Sequence, residues 1–221
     1  SMLGHERIEA SAPGRVCLAG ESLDWMINGP SVVGTITLKA TATVEQLPII
    51  EGEHLLTLRS VTPIPASSLQ SWESEEFPKD AYLRFVGAAV VAFRRRIYEP
   101  YSLSVTIHSD IPVNAGVSSS AAVTLATAAA SAAFFELEPS VVDLCEMAYT
   151  IEHDVLDTGA GRMDPYACGM GGLLHLHCGA KPVSVKRYDF PDTLGIVLAD
   201  TLSPHKTRSF ISSKRQRFQA G

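Results

Sequence analysis

An α+β fold follows from three features of the sequence. Strand-like segments come before any helix. A long alternating run rich in Val, Ile and Thr covers residues 32 to 47. An Ala-rich stretch, residues 121 to 135, opens directly from a Gly/Ser loop. Antiparallel strands placed first argue against a doubly wound sheet, which alternates strand and helix throughout. Residues 7 to 20 read as two short strands broken at Ala12-Pro13-Gly14. Leu55 to Val61 is a further strand, and the Pro- and Ser-rich residues 62 to 79 read as a loop. Leu83, Val86, Val90 and Phe93 share one face of a helix over residues 80 to 98. Strand 102–109, the Gly/Ser loop and the small-residue helix follow. Pro139-Ser140 starts another helix that runs to about Asp154. A second glycine-rich loop, Thr158 to Gly161, precedes Arg162-Met-Asp-Pro165. Strands are expected over 173–178, 183–188 and 194–200, and a helix from His205 to Phe218.

The chain has 221 residues, room for one large domain or two small ones. Its 46% hydrophobic and 19% charged content suits a globular protein with a real core. A net charge of -6 leaves no basic footprint for nucleic acid. The basic clusters Arg94 to Arg96 and Lys214 to Arg217 read as solvated surface at helix ends. Four cysteines without CxxC spacing suit neither zinc nor a disulfide framework, and point to reduced thiols in a cytoplasmic protein. The apolar run Phe85 to Phe93 is too short for a bilayer, so no membrane association is expected.

Four motifs carry chemistry. In Pro112-Val-Asn114-Ala115-Gly116-Val117-Ser118-Ser119-Ser120-Ala121, a glycine and three hydroxyls open a helix. Helix N-termini offer unpaired N–H groups and a favourable dipole to anions, and glycine allows close backbone approach. No Gly-Lys-Ser/Thr occurs, so this is not a Walker A loop. A serine-capped buried helix would leave the same trace. The segment from Ala12 to Trp25 places Arg15, Glu21 and Asp24 near a turn, where carboxylates suit hydroxyl-rich ligands; surface charges beside a turn are the alternative. Glu152, at a helix end, could share Mg²⁺ with a serine hydroxyl or simply be solvated. Asp164, between glycine-rich turns, could take the proton of an attacking hydroxyl or merely cap a helix begun at Pro165.

Taken in order, these motifs resemble the GHMP kinases. The resemblance covers residues 8 to 218 and is nearest to galactokinase-like sugar kinases. Their Pro-Gly-Arg-Val-Asn-Leu-Ile-Gly-Glu-His-x-Asp-Tyr is similar to the run from Pro13 to Trp25, and their Gly-Leu-Ser-Ser-Ser-Ala to Gly116 through Ala121. Their Glu-His matches Glu152-His153. The resemblance implies a ribosomal protein S5 domain 2-like fold over residues 3–204, with 205–221 starting a C-terminal domain. It implies that Pro112 and Asn114 to Ala121 cradle the phosphates of ATP, and that Ser120 and Glu152 hold Mg²⁺. Asp164 is then the catalytic base, with Arg15 beside it to counter developing charge. Glu21, Ser22 and Asp24 bind the substrate, a sugar or related polyol. A mevalonate-type kinase or a non-catalytic relative is the alternative, and a homodimer is among the expected assemblies. Adenine is expected near Trp72, Tyr82 and Phe85. Ser22 and Cys17 replace the His and Asn of the galactokinase pattern, which puts galactose itself in question. The family's third glycine-rich motif has no match after Gly172.

Overall fold

The computed structural model describes residues 6–48, 55–62, 70–73, 82–94, 102–203 and 207–220. Strand β1 (Arg7–Ala19) leads through a short helix, α1 (Leu23–Ile27), into the long strand β2 (Pro30–Gln46). Strands β3 (Leu55–Thr62) and β4 (Gln70–Glu73), helix α2 (Leu83–Arg94) and strand β5 (Leu103–Ser109) follow. Helix α3 (Ser119–Phe134) and helix α4 (Val141–Thr150) come next, the latter ending in a π-helical turn (Ile151–Val155). Helix α5 (Met163–Met170), strands β6 (Leu173–His177) and β7 (Ser184–Tyr188), and helix α6 (Thr207–Ala220) complete the order.

The seven strands form one sheet in the order β4-β3-β5-β2-β6-β7, with β1 on β2. Strand β2 organises it. One edge pairs with β1 from Val32 to Glu45. The other edge is shared, residues 30–34 with β6 and 40–46 with β5. Among the described residues only β3 and β5 pair in parallel, and α2 lies between them in sequence as such a pair requires.

Helix α3 packs on β1 and β2 and against α2 and α5. Its Ala, Ser and Thr residues are buried nearly all round, because small side chains let neighbouring backbones come close. Thr124 keeps its hydroxyl satisfied by donating to the Ser120 carbonyl. The main core sets Leu58, Val86, Phe93, Val105 and Ile107 against α3. A smaller one gathers Val33, Tyr166, Leu174 and Leu176 around α5. Among the described residues, no helix is long and apolar enough to cross a membrane.

Several expectations are corrected. Ala12-Pro13-Gly14 does not separate two strands. It forms a bulge within β1, where the register to β2 shifts between Pro13 and Arg15. The 62–79 loop contains β4, which pairs with β3. Residues 194–200 form no strand; a strand persists only where an edge accepts it, and this segment lies exposed, Val197 by 93%. The basic segment of α6 is not wholly solvated, since Lys214 donates to the Ser22 hydroxyl at 3.0 Å and the Arg215 guanidinium lies over the Trp25 ring at 5.4 Å.

The β1 bulge presses on the Gly/Ser loop. The Arg15 N–H donates to the Val117 carbonyl at 3.1 Å, and a Cβ at Gly14 would lie 2.8 Å from that same oxygen. Gly14→Ala is therefore expected to push β1 away from the loop and to cost about 1–3 kcal/mol, the range for overpacking. Urea denaturation of the variant measures this, and an unchanged midpoint would refute the contact.

Candidate functional site

The Gly/Ser loop takes a backbone shape that few sequences tolerate. Asn114, Gly116 and Ser118 all have positive φ, at 60°, 76° and 63°. Left-handed residues alternating with ordinary ones turn successive N–H groups towards one concavity, the nest arrangement that receives anions. Nothing lies within 4 Å of where a Cβ at Gly116 would sit, so the backbone there faces open space. The serine-cap alternative is not what the structure shows. Ser118 occupies the N-cap position of α3, yet its side chain makes no capping bond, and its buried hydroxyl has no hydrogen-bond partner among the described residues. Ser119 instead shares a 2.8 Å hydrogen bond with the Tyr82 hydroxyl.

Arg15 connects this loop to α5. Its Nε donates to Asp164 Oδ1 at 2.7 Å, its Nη2 lies 2.7 Å from the same oxygen, and its Nη1 donates to the Gly116 carbonyl at 2.9 Å. Glu21 is a looser partner at 3.9 Å. Arg15 as a whole is 5% exposed. Burial alone would lower its pKa, but Asp164 and Glu21 raise it further still. Asp164 does not cap α5. Arg162 holds the N-cap position and Asp164 sits in the first turn, where the dipole favours its charge.

Two buried carboxyls flank this pair. Asp24 accepts the Met163 N–H at 3.1 Å through Oδ2, while its Oδ1 has no hydrogen-bond partner among the described residues. Only a glycine fits at position 161, since a Cβ there would collide with that carboxyl. Burial, and then the Asp164 charge, push Asp24 up to about 6. Glu152, 4% exposed, accepts the Ser120 hydroxyl at 3.2 Å through Oε2, and its Oε1 also has no hydrogen-bond partner among the described residues. The π turn shapes this region: Leu156 N–H reaches back five residues to Ile151, and Thr158 binds the Glu152 carbonyl through both N–H and hydroxyl.

Contacts link Arg15 to Glu21, Asp164 and the 112–121 loop, Asp24 to the Met163 N–H, and Ser120 to Glu152, whereas the Ser22 hydroxyl meets Lys214 of α6. Of the three aromatic candidates, Phe85 lies in the core and Tyr82 beside the loop, while the Trp72 side chain falls outside the described residues. Among the described residues no three His, Cys, Asp or Glu side chains cluster for a metal, so any cation would rest on few protein ligands. Burial pushes the Cys17, Cys145 and Cys178 thiols up to about 12, which leaves them protonated and poorly nucleophilic.

A family model described as "GHMP kinases N terminal domain" matches residues 84–172, the span from α2 through the Gly/Ser loop and Asp164 to the start of β6. Residues 84–172 carry the N-terminal domain of the GHMP kinases. The chain bearing this GHMP domain is 27% identical over 214 residues to the mevalonate kinase of Pyrococcus abyssi, covering 95% of this chain and 62% of that protein. It is 27% identical over 199 residues to the galactokinase of Bacillus subtilis, covering 86% of this chain and 49% of that protein. It therefore spans only half to two-thirds of the curated relatives it matches. Lactococcus lactis galactokinase, solved with galactose, superposes with a TM-score of 0.74 at 20% identity, covering 97% of this chain and 57% of that one.

One cluster beside the GHMP site escaped the sequence reading. Glu146 on α4 accepts the Arg162 Nε–H at 2.9 Å and the Tyr166 hydroxyl at 2.7 Å, gripping α5 on both sides of Asp164. Arg162 also lies 3.8 Å from the Tyr149 ring centroid, and Tyr149 stacks on His153. Glu146, Tyr149 and His153 are spaced three and four apart, the stripe of one helix face, and that spacing was the available signal.

Burial first, and the Asp164 charge second, push Glu152 up to about 8. Its carboxyl then holds more protons folded than unfolded between the ordinary glutamate value of 4.5 and about 8. Stability must fall as pH rises through that window, with the penalty absent below it. Glu152→Gln keeps an acceptor for Ser120 without the ionisation. In metal-free buffer it is expected to melt several degrees above the parent at pH 8.5 and to match it at pH 4. Thermal melts by circular dichroism across that range test this; a constant difference at all pH values would contradict it.

Proposed function

We propose that this chain supplies the ATP- and substrate-binding part of a kinase that phosphorylates a hydroxyl of a sugar or sugar-like small molecule. The observation that carries the reading is the single guanidinium of Arg15, bonded at once to the Asp164 carboxylate and to the Gly116 carbonyl of the anion-ready loop. Phosphoryl transfer needs a base, a phosphate cradle and a counter-charge in one place, and little covalent chemistry from the protein.

In this reading the N–H groups of 114–121 hold the nucleotide phosphates. Asp164 takes the proton from the acceptor hydroxyl. Arg15 orients Asp164 and offers its charge to the transferred group. Asp24, with a free carboxylate oxygen in a dry setting, hydrogen-bonds substrate hydroxyls alongside Ser22 and Glu21.

The donor set fits magnesium. Glu152 Oε1 is a buried oxygen without a protein partner, Ser120 adds a hydroxyl on the same carboxylate, and this ion uses one or two carboxylates plus phosphate. Bound between Ser120 and Glu152, Mg²⁺ would supply charge neutralisation to the phosphate oxygens. Residues 205–221 begin the C-terminal domain in this account. A non-sugar hydroxyl compound is the second reading, favoured by the equally strong likeness to a mevalonate kinase across 95% of the chain.

Asp164→Asn in the full-length protein is expected to lower turnover by about a hundredfold or more while nucleotide affinity stays within a few-fold. ADP release and calorimetric titration with Mg-ATP measure the two quantities, and near-normal turnover would remove Asp164 from its role. Ser120→Ala is expected to weaken Mg-ATP binding by about tenfold with little effect on ATP binding in EDTA; equal loss in both buffers would argue against a metal ligand.

A further inference from the structure

A small cavity of about 80 Å³ opens beside Asp24, and its lining divides by chemistry. Asp24 and Asn28 offer groups suited to hydroxyls. Arg162, Arg215, Tyr149 and Trp25 offer guanidinium groups stacked on aromatic rings. The lining thus sets two permanent cations against a single carboxyl.

The two arginines are prepared differently. Glu146 accepts the Arg162 Nε–H on both carboxylate oxygens, at 2.9 and 3.1 Å, and is the one carboxylate that this guanidinium bonds among the described residues. Its two terminal NH₂ groups are left for another acceptor. Arg215 has no ion-pair partner among the described residues, and stacking on Trp25 fixes its plane without neutralising its charge. Helix α6 brings it there: Ile211 packs near Gly159, and Lys214 bonds Ser22, so the helix sits over the segments that frame Asp24. Planar guanidinium forks held by rings match the geometry of phosphate and carboxylate oxygens. A neutral sugar would leave both forks without use.

We infer that this cavity binds a polyhydroxy substrate carrying an anionic group, a phosphate monoester or a carboxylate, with its hydroxyls on Asp24 and its anion on Arg162 and Arg215. The inference rests on the kinase reading above and narrows its substrate class.

The test is calorimetric titration of the 221-residue chain with galactose, galactose 6-phosphate and galacturonate, each beside a Mg-ATP control. At least one anionic sugar is expected to bind about tenfold or more tightly than galactose, with an advantage that shrinks as salt rises. Gain with the phosphate alone identifies a phosphate monoester; gain with galacturonate identifies a carboxylate. Arg215→Gln, on an exposed helix position, is expected to remove most of the gain. Arg162→Lys, which keeps the pair to Glu146 but loses the fork, is expected to reduce the gain a few-fold. Equal affinity for neutral and anionic sugars, binding of galactose alone, or an Arg215→Gln chain that keeps the full gain would overturn the inference while leaving the kinase reading intact. Failure to bind Mg-ATP together with every sugar would overturn the kinase reading itself.

Discussion

Everything at the centre of this molecule depends on the burial of Arg15. A guanidinium taken from water needs partners in good geometry, and removing one from a buried pair typically costs about 3–5 kcal/mol. Here the partners belong to three different parts of the chain: Asp164 on α5, the Gly116 carbonyl in the Gly/Ser loop, and Glu21 after β1. The charge therefore does not only pair; it fixes how a strand, a loop and a helix lie together. The bulge in β1 serves this arrangement, since it brings the Arg15 backbone to Val117 while its side chain passes the loop towards α5.

Around that charge the protein keeps carboxyls where they are uncomfortable. Asp24 and Glu152 each have one satisfied oxygen and one without a partner, and both are shifted upward by burial and by Asp164. Such groups destabilise the empty fold and gain most from a ligand that supplies hydrogen-bond donors or positive charge. Stability and binding are then linked: ligands that satisfy these oxygens also tighten the structure.

Much of this was legible in the sequence because it resides in local motifs. The loop from Pro112 to Ala121 announces itself through glycine and serine before an Ala-rich helix, and the strands of β2 and β5 through alternation. Other features were not legible, for physical reasons. Pro13-Gly14 reads as a break because a bulge and a turn use the same residues; only the pairing of β1 with β2 on both sides of the shift decides between them. Apolar alternation suggests a strand at 194–200, yet alternation states a preference and pairing requires an edge. The Glu146 grip on Arg162 and Tyr166 joins residues 16 and 20 apart on two helices, so neither helix reveals it alone. Arg215 reached the cavity through the docking of α6, which its own basic composition argued against.

The π turn at Ile151–Val155 has a consequence for how this protein can change. An α-helix advances about 100° per residue, so one residue more or less rotates everything downstream by that angle. Helix α4 carries Glu146, and the chain after the turn carries Arg162 and Asp164, which Glu146 must meet in register. The widened turn is the phase coupling between them. Surface loops of this fold can lengthen or shorten with little effect, but a single deletion between 151 and 155 would restore α-helical phase and swing the 158–161 loop away from Asp24 and α6. This five-residue stretch ties chain length to the register of two helices, although nothing in its composition marks it.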